Sequence, residues 1–371
     1  MAAIGAVALL IWIGLIGSGF WRTDINDVHA AKADPAHWPS VVAVVPARNE
    51  MDVIARSIGS LAAQDYPGSF SILLVDDNSD DGTAEVARSL GSDRLRIQSG
   101  APLAAGWTGK LWAVSQGIAA AGAPDFLWLT DADIEHAPDT LRTLVGIAAA
   151  GDRRMVSFMA KLRCDAPAER ALIPAFVFFF QMLYPFAWVN RPKGIGGAAG
   201  GCMLVRRDAL EAAGGIAAIR DALIDDCTLG TLIKRQGPIW LGLTNRSRSI
   251  RPYDTAAPIA AMIARSAYAQ LDYSPLKLVG TVLGLALVYF APPVLALFGD
   301  GAARWLGLAA WILMAASFQP MLAFYRRSPL WGLALPGIAA FYAGCTILSA
   351  WQHKQGRGGM WKGRAQAALG K

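Results

Sequence analysis

VVAVVPARNE, residues 41–50, has the pattern of a buried β-strand that ends in a polar loop. An uninterrupted run of small and β-branched apolar residues is typical of a strand covered on both faces of a parallel sheet. Apolar side chains then recur at helical spacing from Val53 to Leu61, and a second apolar run occupies Ser71 to Val75. The segment therefore predicts a strand, a helix and a second, parallel strand.

The alternation of short apolar runs with helical patterns extends over residues 40–251, which we predict to form one α/β domain. Two further helices are expected near Gly109 to Ala121 and Pro138 to Ala150. The remaining strands are predicted at residues 95–98, 126–130, 155–158, 202–205 and 239–243.

The rest of the chain has the composition of a membrane protein. Of its 371 residues, 54% are hydrophobic, and the mean hydropathy is +0.36. Charge-free stretches with roughly the 20 residues that a bilayer span requires occupy residues 1–21, 278–298, 305–325 and 330–351. We predict an N-terminal transmembrane anchor at 1–21, an interfacial segment at 252–275, two or three spans within 276–352, and a basic tail at 353–371.

A cleaved signal peptide is the alternative for the first stretch, since Val28-His29-Ala30 offers a small-residue cleavage pattern. However, the apolar run is longer than a signal core of roughly 7–15 residues and no basic residue precedes it, which favours an uncleaved anchor.

The charged and sulfur-containing residues exclude some classes of function. Much of the net charge of +6 flanks the apolar stretches, which suits anionic lipid headgroups and does not indicate nucleic-acid binding. The four cysteines are scattered without close pairs, so neither a zinc site nor a disulfide framework is indicated. We expect a reducing compartment.

Polar residues follow three of the predicted strands at the point where each strand ends. In an open α/β sheet, ligands bind beyond the carboxyl ends of the strands. The three clusters are Pro46-Ala47-Arg48-Asn49-Glu50, Asp76-Asp77-Asn78-Ser79-Asp80-Asp81-Gly82 and Asp131-Ala132-Asp133. They predict a polar ligand site at this edge of the sheet.

Asp131 and Asp133 are candidates for a divalent metal site. Alternation at the end of a strand can point both carboxylates to one side of Ala132. The chain has four histidines and no pair of them at ligand spacing, so oxygen ligands predominate and favour Mg²⁺ or Mn²⁺. An isolated Asp-x-Asp pair is more often a solvated loop.

The acidic run after the second strand does not form a calcium loop. Counted from Asp77, the twelfth position of an EF-hand would be Arg88, where a bidentate acid is required. Asp80 and Asp81 are expected to cap the helix that begins near Thr83.

Asp225 and Asp226 open a predicted helix that runs to Arg235. Their carboxylates suit either a general base or a helix cap. Gly106 to Lys110 lacks the spacing of a P-loop, and the glycines at 194–201 precede a strand, unlike a dinucleotide-binding fingerprint. That glycine run predicts either an acceptor loop or a hinge.

Together these motifs resemble family 2 glycosyltransferases with the GT-A fold. The resemblance rests on Pro46 to Glu50, Val75 to Asp80, Asp131 to Asp133 and Asp225 to Leu229, in that order over about two hundred residues. Within the family, the chain most resembles the hopanoid-biosynthesis-associated glycosyltransferases (HpnB). This narrower likeness rests on Gly106 to Ala113, Ile173 to Gln181 and Leu223 to Cys227.

The resemblance implies a role for each motif residue. Donor binding falls to Pro46, Arg48, Glu50, Asp76, Asp77, Lys110 and Asp131. Asp131 and Asp133 hold Mg²⁺ or Mn²⁺, and Asp226, aided by Asp225, is the catalytic base. Gly200 and Gly201 lie near the acceptor, and Arg265 and Gln270 stand where processive relatives carry a Gln/Arg-x-x-Arg-Trp motif that this chain lacks.

The resulting hypothesis is a membrane-bound inverting glycosyltransferase that moves a sugar from a nucleotide-sugar, of UDP-hexose type, to a hopanoid or related lipid. A polyprenyl-phosphate, ceramide or carotenoid glycosyltransferase is the alternative. A catalytically silent membrane scaffold or transporter component is the non-enzymatic one. Pro174 and Pro185 interrupt the apolar run Leu172 to Trp188, which we therefore predict to be membrane-facing or acceptor-lining and not a regular span.

Nucleotide-sugars are cytosolic, so we expect a multi-pass protein of the bacterial inner membrane with a cytosolic catalytic domain. Arg22 and Lys32 agree with that orientation. If all three later stretches span, the basic tail ends outside, against the positive-inside rule. The sequence leaves the side of the tail open.

Overall fold

The computed structural model describes residues 1–362 together with residues 364 and 365. Part of the predicted basic tail, residue 363 and residues 366–371, lies outside the described residues. The strands are β1 (Val41–Ala47), β2 (Phe70–Asp76), β3 (Leu95–Ser99), β4 (Phe126–Thr130), β5 (Ile134–His136), β6 (Met155–Lys161), β7 (Cys202–Arg206), β8 (Ile239–Ser249), β9 (Met360–Trp361) and β10 (Arg364–Ala365).

Helices alternate with the strands and then continue alone towards the carboxyl terminus. They are α1 (Ala2–Gly17), α2 (Met51–Ala62), α3 (Thr83–Arg88), α4 (Gly109–Ala120), α5 (Thr140–Ala150), α6 (Pro167–Leu183), α7 (Phe186–Val189), α8 (Arg207–Ala212), α9 (Asp225–Lys234), α10 (Ala256–Ala264), α11 (Pro275–Leu285), α12 (Ala291–Phe298), α13 (Gly301–Phe324) and α14 (Leu335–Lys354). Single 3₁₀ turns occur at Ile216–Ile219, Ala269–Leu271 and Pro329–Gly332, and a π-helical turn, Ala286–Phe290, joins α11 to α12.

A mixed eight-stranded sheet, in the order β3-β2-β1-β4-β7-β6-β8-β5, forms the centre of the described α/β domain. Strands β3, β2, β1 and β4 are parallel, whereas β7 runs antiparallel to β4. The register pairs Ala47 with Asp76 and Thr130 with Cys202. The carboxyl ends of β1, β2 and β4 therefore meet the amino end of β7 at one edge of the sheet.

Apolar layers cover both faces of this sheet. Every residue of β1 is buried, as its continuous apolar run predicts. Ile54 and Ile58 of α2 and Leu144 of α5 pack on one face. Leu111 of α4 and Ile233 of α9 pack on the other, in a core that continues into the C-terminal helices.

The α/β prediction is confirmed, and all seven predicted strands are present. The sequence pattern missed the short strand β5, and β8 continues to Ser249, past the predicted end at Leu243. Both differences lie where β5 pairs antiparallel with the end of β8. This long-range pairing leaves no periodic signal in the sequence of either segment.

Three helical segments of the described chain are long and apolar enough to cross a membrane: Pro167–Val189, Pro275–Phe298 and Gly301–Phe324. The last two coincide with predicted spans. The stretch predicted at 330–351 is divided between a 3₁₀ turn and α14, and it is not among the three. The first stretch forms a helix of 16 residues, which is short for a span perpendicular to a bilayer.

The sequence predicted that both Pro174 and Pro185 interrupt a regular span; this was wrong for Pro174, whereas Pro185 does lie beyond the end of the helix. Residue 174 lies inside α6, which is continuous from Pro167 to Leu183. Tertiary packing offsets the lost backbone bond, because Phe178 makes edge-on ring contacts with Phe20 and Phe318 at 5.1 and 5.0 Å. Helix α6 thus joins the catalytic domain to the helical bundle.

Helix α1 packs against the C-terminal helices through Trp12, which is fully buried. The Trp12 indole stacks edge-on with Tyr289 and donates its N–H to the Val288 carbonyl at 2.9 Å. A helical carbonyl normally accepts from the N–H four residues later, or five in a π turn, and for Val288 both positions are prolines, Pro292 and Pro293. The indole therefore supplies the missing donor.

The chain after α13 turns back along that helix. Gln319 donates to the Pro329 carbonyl at 3.1 Å and Trp311 to the Leu333 carbonyl at 3.3 Å, so residues 329–333 run beside α13 towards its middle. Helix α14 then leads back to the segment that follows the α/β domain, where Ser349 accepts a hydrogen bond from the Tyr268 backbone at 3.1 Å. The segment from 326 to 354 enters and leaves on the same side of the bundle.

Candidate active site

Two left-handed turns shape the loops after β1 and β2. Asn49 and Asn78 have φ values of 53° and 55°, a region that asparagine tolerates better than most residues. The Asn49 N–H donates to the Ser79 hydroxyl at 2.9 Å, and the Arg48 guanidinium donates to the Asp77 and Asn78 carbonyls at 2.5 and 3.1 Å. Arg48, which was predicted to bind the nucleotide-sugar donor, therefore stabilises the turn after β2 through these hydrogen bonds.

The predicted capping of α3 by Asp80 and Asp81 was wrong, since Gly82 occupies the N-cap position without a side-chain cap, but Asp81 does bond to the first N–H of the helix. The Asp81 carboxylate accepts from the Thr83 N–H at 2.9 Å and from the Met51 N–H at 3.0 Å, so it also ties α3 to the start of α2. Asp76 and Asp77 are buried at the end of β2. They lie beside the loop of Glu50 but outside the cavity described below.

The loop carrying Asp131 and Asp133 is held between β4 and β5 by a buried histidine. The Thr130 hydroxyl donates to the Gly201 carbonyl at 2.8 Å, so the His136 Nε2–H donates to Thr130 at 2.9 Å. His136 Nδ1 then accepts from the Ser247 hydroxyl at 2.9 Å. Burial lowers the pKa of His136 to about 3, so this imidazole stays neutral and structural.

Lys110, at the start of α4, bridges two of the predicted site carboxylates. Its ammonium lies 2.9 Å from Asp131 Oδ1 and 3.0 Å from Asp225 Oδ2. Burial lowers the pKa of Lys110, but the attraction of Asp131 and Asp225 outweighs it and leaves that pKa above its ordinary value. Lys110 is therefore a permanent cation at the centre of the site.

Arg251, which follows β8, joins two more carboxylates. Its guanidinium lies 2.8 Å from Asp133 Oδ2 and 2.7 Å from both oxygens of Glu50. Lys362, in the turn after β9, lies 2.9 Å from Glu50 Oε1. Neither Arg251 nor Lys362 was predicted from the sequence to be a site residue.

Asp226 accepts two backbone hydrogen bonds that fix its orientation. Gly200 donates to Oδ2 at 2.9 Å and Cys227 to Oδ1 at 2.8 Å. Partial burial, and then repulsion by Asp225, raises the pKa of Asp226 to about 6. A carboxylate with that pKa is ionised at neutral pH yet basic enough to take up a proton, which is the requirement for a general base.

A cavity of about 690 Å³ connects these charges to an apolar chamber. At its polar end lie five carboxylates: Glu50, Asp131, Asp133, Asp225 and Asp226. Its other end is lined by aromatic and aliphatic side chains of α6, α10, α11 and α14, including Phe176, Phe179, Phe180, Met262 and Leu285. One continuous space thus offers binding surfaces for a charged and for an apolar molecule.

The predicted acceptor residues all line this cavity. Gly200 and Gly201 lie at its polar end, and the Gly200 N–H is committed to Asp226. Arg265 and Gln270 follow α10, and Gln270 accepts a hydrogen bond from the Tyr184 hydroxyl at 3.1 Å. Helix α10 packs on α6 and α14, so it forms a wall of the cavity.

Asp131 and Asp133 are suitable ligands for a hard divalent cation. Burial raises the pKa of Asp131, Lys110 lowers it and Asp133 raises it again, so that the pKa stays above its ordinary value. Within the part of the chain that the structure describes, no three His, Cys, Asp or Glu side chains form a metal cage. Mg²⁺ commonly binds one or two carboxylates and completes its shell with water and phosphate oxygens, which fits this pair.

The sequence analysis missed two basic residues of the site, Arg251 and Lys362, and only Arg251 could have been found from the sequence. Arg251 follows a strand at the same sheet edge as the predicted clusters, so a correct end for β8 would have identified it. Lys362 lies beyond all the C-terminal helices, and no sequence pattern links it to Glu50.

Residues 42–214 match the family model of glycosyl transferase family 2. Two curated relatives are both named beta-monoglucosyldiacylglycerol synthase, from Trichormus variabilis and from Nostoc sp.. Each is 28% identical over 237 residues, which cover 56% of this chain and 49% of the relative. The chain spans about half the length of the curated relatives it matches.

Among solved structures, the chain resembles the mannosyltransferase PcManGT from Pyrobaculum calidifontis, described in complex with GDP-Man and Mn²⁺. The TM-score is 0.58 at 19% identity, with 95% of this chain and 99% of the other covered. The likeness shows the fold, which is GT-A. The prediction of a GT-A fold is confirmed, and the match of residues 42–214 to the family 2 model supports the resemblance that the motifs indicated.

Proposed function

We propose that this chain is a membrane-bound inverting glycosyltransferase that transfers a hexosyl unit from a nucleotide-sugar to a hydroxyl group of a membrane lipid. The observation that carries the proposal is the shared cavity, whose lining combines the carboxylate cluster, Asp226 included, with the apolar side chains of the chamber. A nucleotide-sugar suits the charged end, and a lipid suits the other.

The donor would bind across the carboxyl edge of the sheet, with its base and ribose near Asp77 and Glu50. Asp131 and Asp133 would hold Mg²⁺ or Mn²⁺, which when bound neutralises charge on the diphosphate leaving group. Lys110 places a fixed positive charge 2.9 Å from Asp131, on the path between the metal ligands and Asp225. It would stabilise negative charge that develops on the departing phosphate.

Asp226 would act on the acceptor. Its carboxylate takes the proton from the lipid hydroxyl as that oxygen forms a bond to the anomeric carbon, while the bond from this carbon to the diphosphate breaks. A single displacement of this kind inverts the anomeric configuration and releases the nucleoside diphosphate. Gly200 and Cys227 keep the carboxylate fixed during the attack.

The acceptor would reach Asp226 from the bilayer. Helix α11 forms part of the cavity wall through Leu285, and it exposes apolar side chains such as Leu276 (81%) and Leu283 (64%) on its outer surface. Such an exposed apolar surface is expected of a helix in contact with lipid. This surface supports contact with a bilayer, and the location we propose is the bacterial cytoplasmic membrane, with the α/β domain in the cytosol.

Two acceptor classes have specific support. The resemblance of the motifs to hopanoid-associated glycosyltransferases favours a hopanoid polyol, and the names of the curated relatives favour diacylglycerol. Both are apolar lipids that carry a free hydroxyl group, which is the chemistry that the cavity offers.

The experiment is to incubate membranes containing the protein with UDP-hexoses and GDP-hexoses, Mn²⁺ and either hopanoid polyol or diacylglycerol. Lipid products are then identified by mass spectrometry, with EDTA in place of Mn²⁺ as the control. A metal-dependent glycolipid is expected and identifies the acceptor. Nucleotide binding without transfer to any lipid would contradict the enzyme and support a catalytically silent scaffold.

A further inference from the structure

Lys362 reaches the candidate donor site from the far end of the chain. Its ammonium lies 2.9 Å from Glu50 Oε1 and donates to the Asn49 carbonyl at 2.9 Å. The side chain is 22% exposed, and Lys362 borders the same cavity as Asp131 and Asp133. It is thus positioned with its charge against the loop that follows β1.

The path of the chain makes this contact possible. Residues 326–334 turn back beside α13, and α14 returns to the segment that follows the α/β domain, where its His353 stacks on Tyr273 at 4.3 Å. Only a short connection then separates α14 from β9 and Lys362. The tail therefore lies on the same side of the helical bundle as the catalytic domain.

Glu50 has a second cationic partner besides Lys362. One guanidinium nitrogen of Arg251 lies 2.7 Å from both carboxylate oxygens of Glu50, and the same guanidinium pairs with Asp133. Arg251 and Lys362 thus carry two positive charges against the two negative charges of Glu50 and Asp133. The Lys362 ammonium stands beside the place where the proposed function puts a diphosphate.

We propose that Lys362, supplied by the C-terminal tail, is a donor-binding residue whose ammonium group holds the diphosphate of the nucleotide-sugar. The assignment rests on the proposed function, since it requires a nucleoside diphosphate donor. On donor binding, one of the ammonium hydrogen bonds passes from the Asn49 carbonyl or Glu50 to a phosphate oxygen. The tail thereby completes the donor site, in which Arg251 and Lys110 are the other cations.

The test is calorimetric binding of UDP, UMP, GDP and GMP, with Mn²⁺ present, to the full-length purified chain. Lys362→Ala is compared with the wild type and with Lys354→Ala, an exposed lysine of the same tail that lies outside the cavity. We expect Lys362→Ala to weaken diphosphate binding at least about tenfold and monophosphate binding much less. Lys362→Arg should restore most of the diphosphate affinity, and Lys354→Ala should match the wild type.

Each other outcome overturns a defined part of the account. Diphosphate binding by Lys362→Ala at wild-type affinity would overturn the role of Lys362 and leave the proposed function intact. An equal loss of diphosphate and monophosphate binding would show that Lys362 only supports the fold of the loop. A wild-type chain that binds none of the four nucleotides would overturn the proposed donor, and this proposal with it.

Discussion

Two opposing effects act on the pKa of Asp226. Its two backbone hydrogen bonds favour the ionised carboxylate, whereas partial burial and the neighbouring Asp225 favour the protonated acid. Asp225 itself is paired with Lys110 at 3.0 Å, so the two adjacent carboxylates have different partners. In the proposed function, this difference favours Asp226 for proton transfer and Asp225 for electrostatic support.

The pH dependence of transfer follows from the raised pKa of Asp226. Its carboxylate accepts a proton only when ionised, so the turnover rate should be high above the pKa of about 6 and fall as the pH drops through that value. The measurement is the turnover rate at saturating donor and acceptor from pH 5 to 8. A rate that stays constant down to pH 5 would contradict the assignment.

Replacement of Asp225 gives the matched control for this profile. Asp225→Asn removes the repulsion that raises the pKa of Asp226, so the acid limb should move to lower pH in whatever activity the variant retains. An acid limb at the wild-type position would show that Asp225 does not influence the titrating group.

At the scale of the elements, a hydrogen bond from the Trp12 indole to the Val288 carbonyl attaches α1 to the C-terminal helices, and two prolines leave that carbonyl without a helical donor. Pro292 and Pro293 remove both N–H groups that the Val288 carbonyl would normally accept from. The π turn at Ala286–Phe290 immediately precedes them, and the Trp12 indole occupies the vacant acceptor. This hydrogen bond ties α1 to the C-terminal helices.

Trp12→Phe should therefore destabilise the packing of α1 while keeping an aromatic ring beside Tyr289. The lost hydrogen bond is worth about 1 kcal/mol in an apolar environment. The measurement is the thermal unfolding of the purified protein in detergent. The control is Trp21→Phe, since the Trp21 indole bonds to the nearby Ile16 carbonyl and does not link α1 to another helix. Equal melting temperatures for Trp12→Phe and the wild type would contradict this role.

Local sequence pattern was sufficient for the strands and for most of the site. The strand β4, Phe126–Thr130, has the predicted bounds, and the carboxylates expected at the sheet edge do converge there. The local pattern could not predict structure that depends on contacts between segments far apart in the sequence. Strand β5 depends on β8, α6 stays helical because Phe178 is packed from both sides, and Lys362 reaches Glu50 only through the fold of the whole chain.

At the scale of the whole molecule, the path of residues 326–354 determines which side of the membrane the tail occupies. From the sequence, 330–351 was a candidate span, the tail would end outside only if all three later stretches crossed the membrane, and the side of the tail stayed open. The structure brings this segment back to its side of entry, so Arg326, Arg327 and Lys362 all lie with the catalytic domain. This arrangement agrees with the positive-inside rule.

Cysteine labelling tests this topology. An impermeant maleimide is applied to intact and to disrupted cells carrying Lys354→Cys, Asp93→Cys in the catalytic domain, or Asp300→Cys between α12 and α13, each with Cys164→Ala to remove the least buried native thiol. We expect Lys354→Cys and Asp93→Cys to react only after disruption, and Asp300→Cys to react in intact cells. Reaction of Lys354→Cys in intact cells would place the tail on the other side.

The most direct test of the whole account is the rate at which membranes containing the protein form glycolipid from a nucleotide-hexose and Mn²⁺. Three forms are compared by mass spectrometry: the wild type, Asp226→Asn and Asp221→Asn, a nearby exposed acid outside the cavity. Removal of a general base predicts a loss of about 10²–10⁴-fold in Asp226→Asn and no loss in Asp221→Asn. Equal rates of glycolipid formation by the wild type and Asp226→Asn would contradict it.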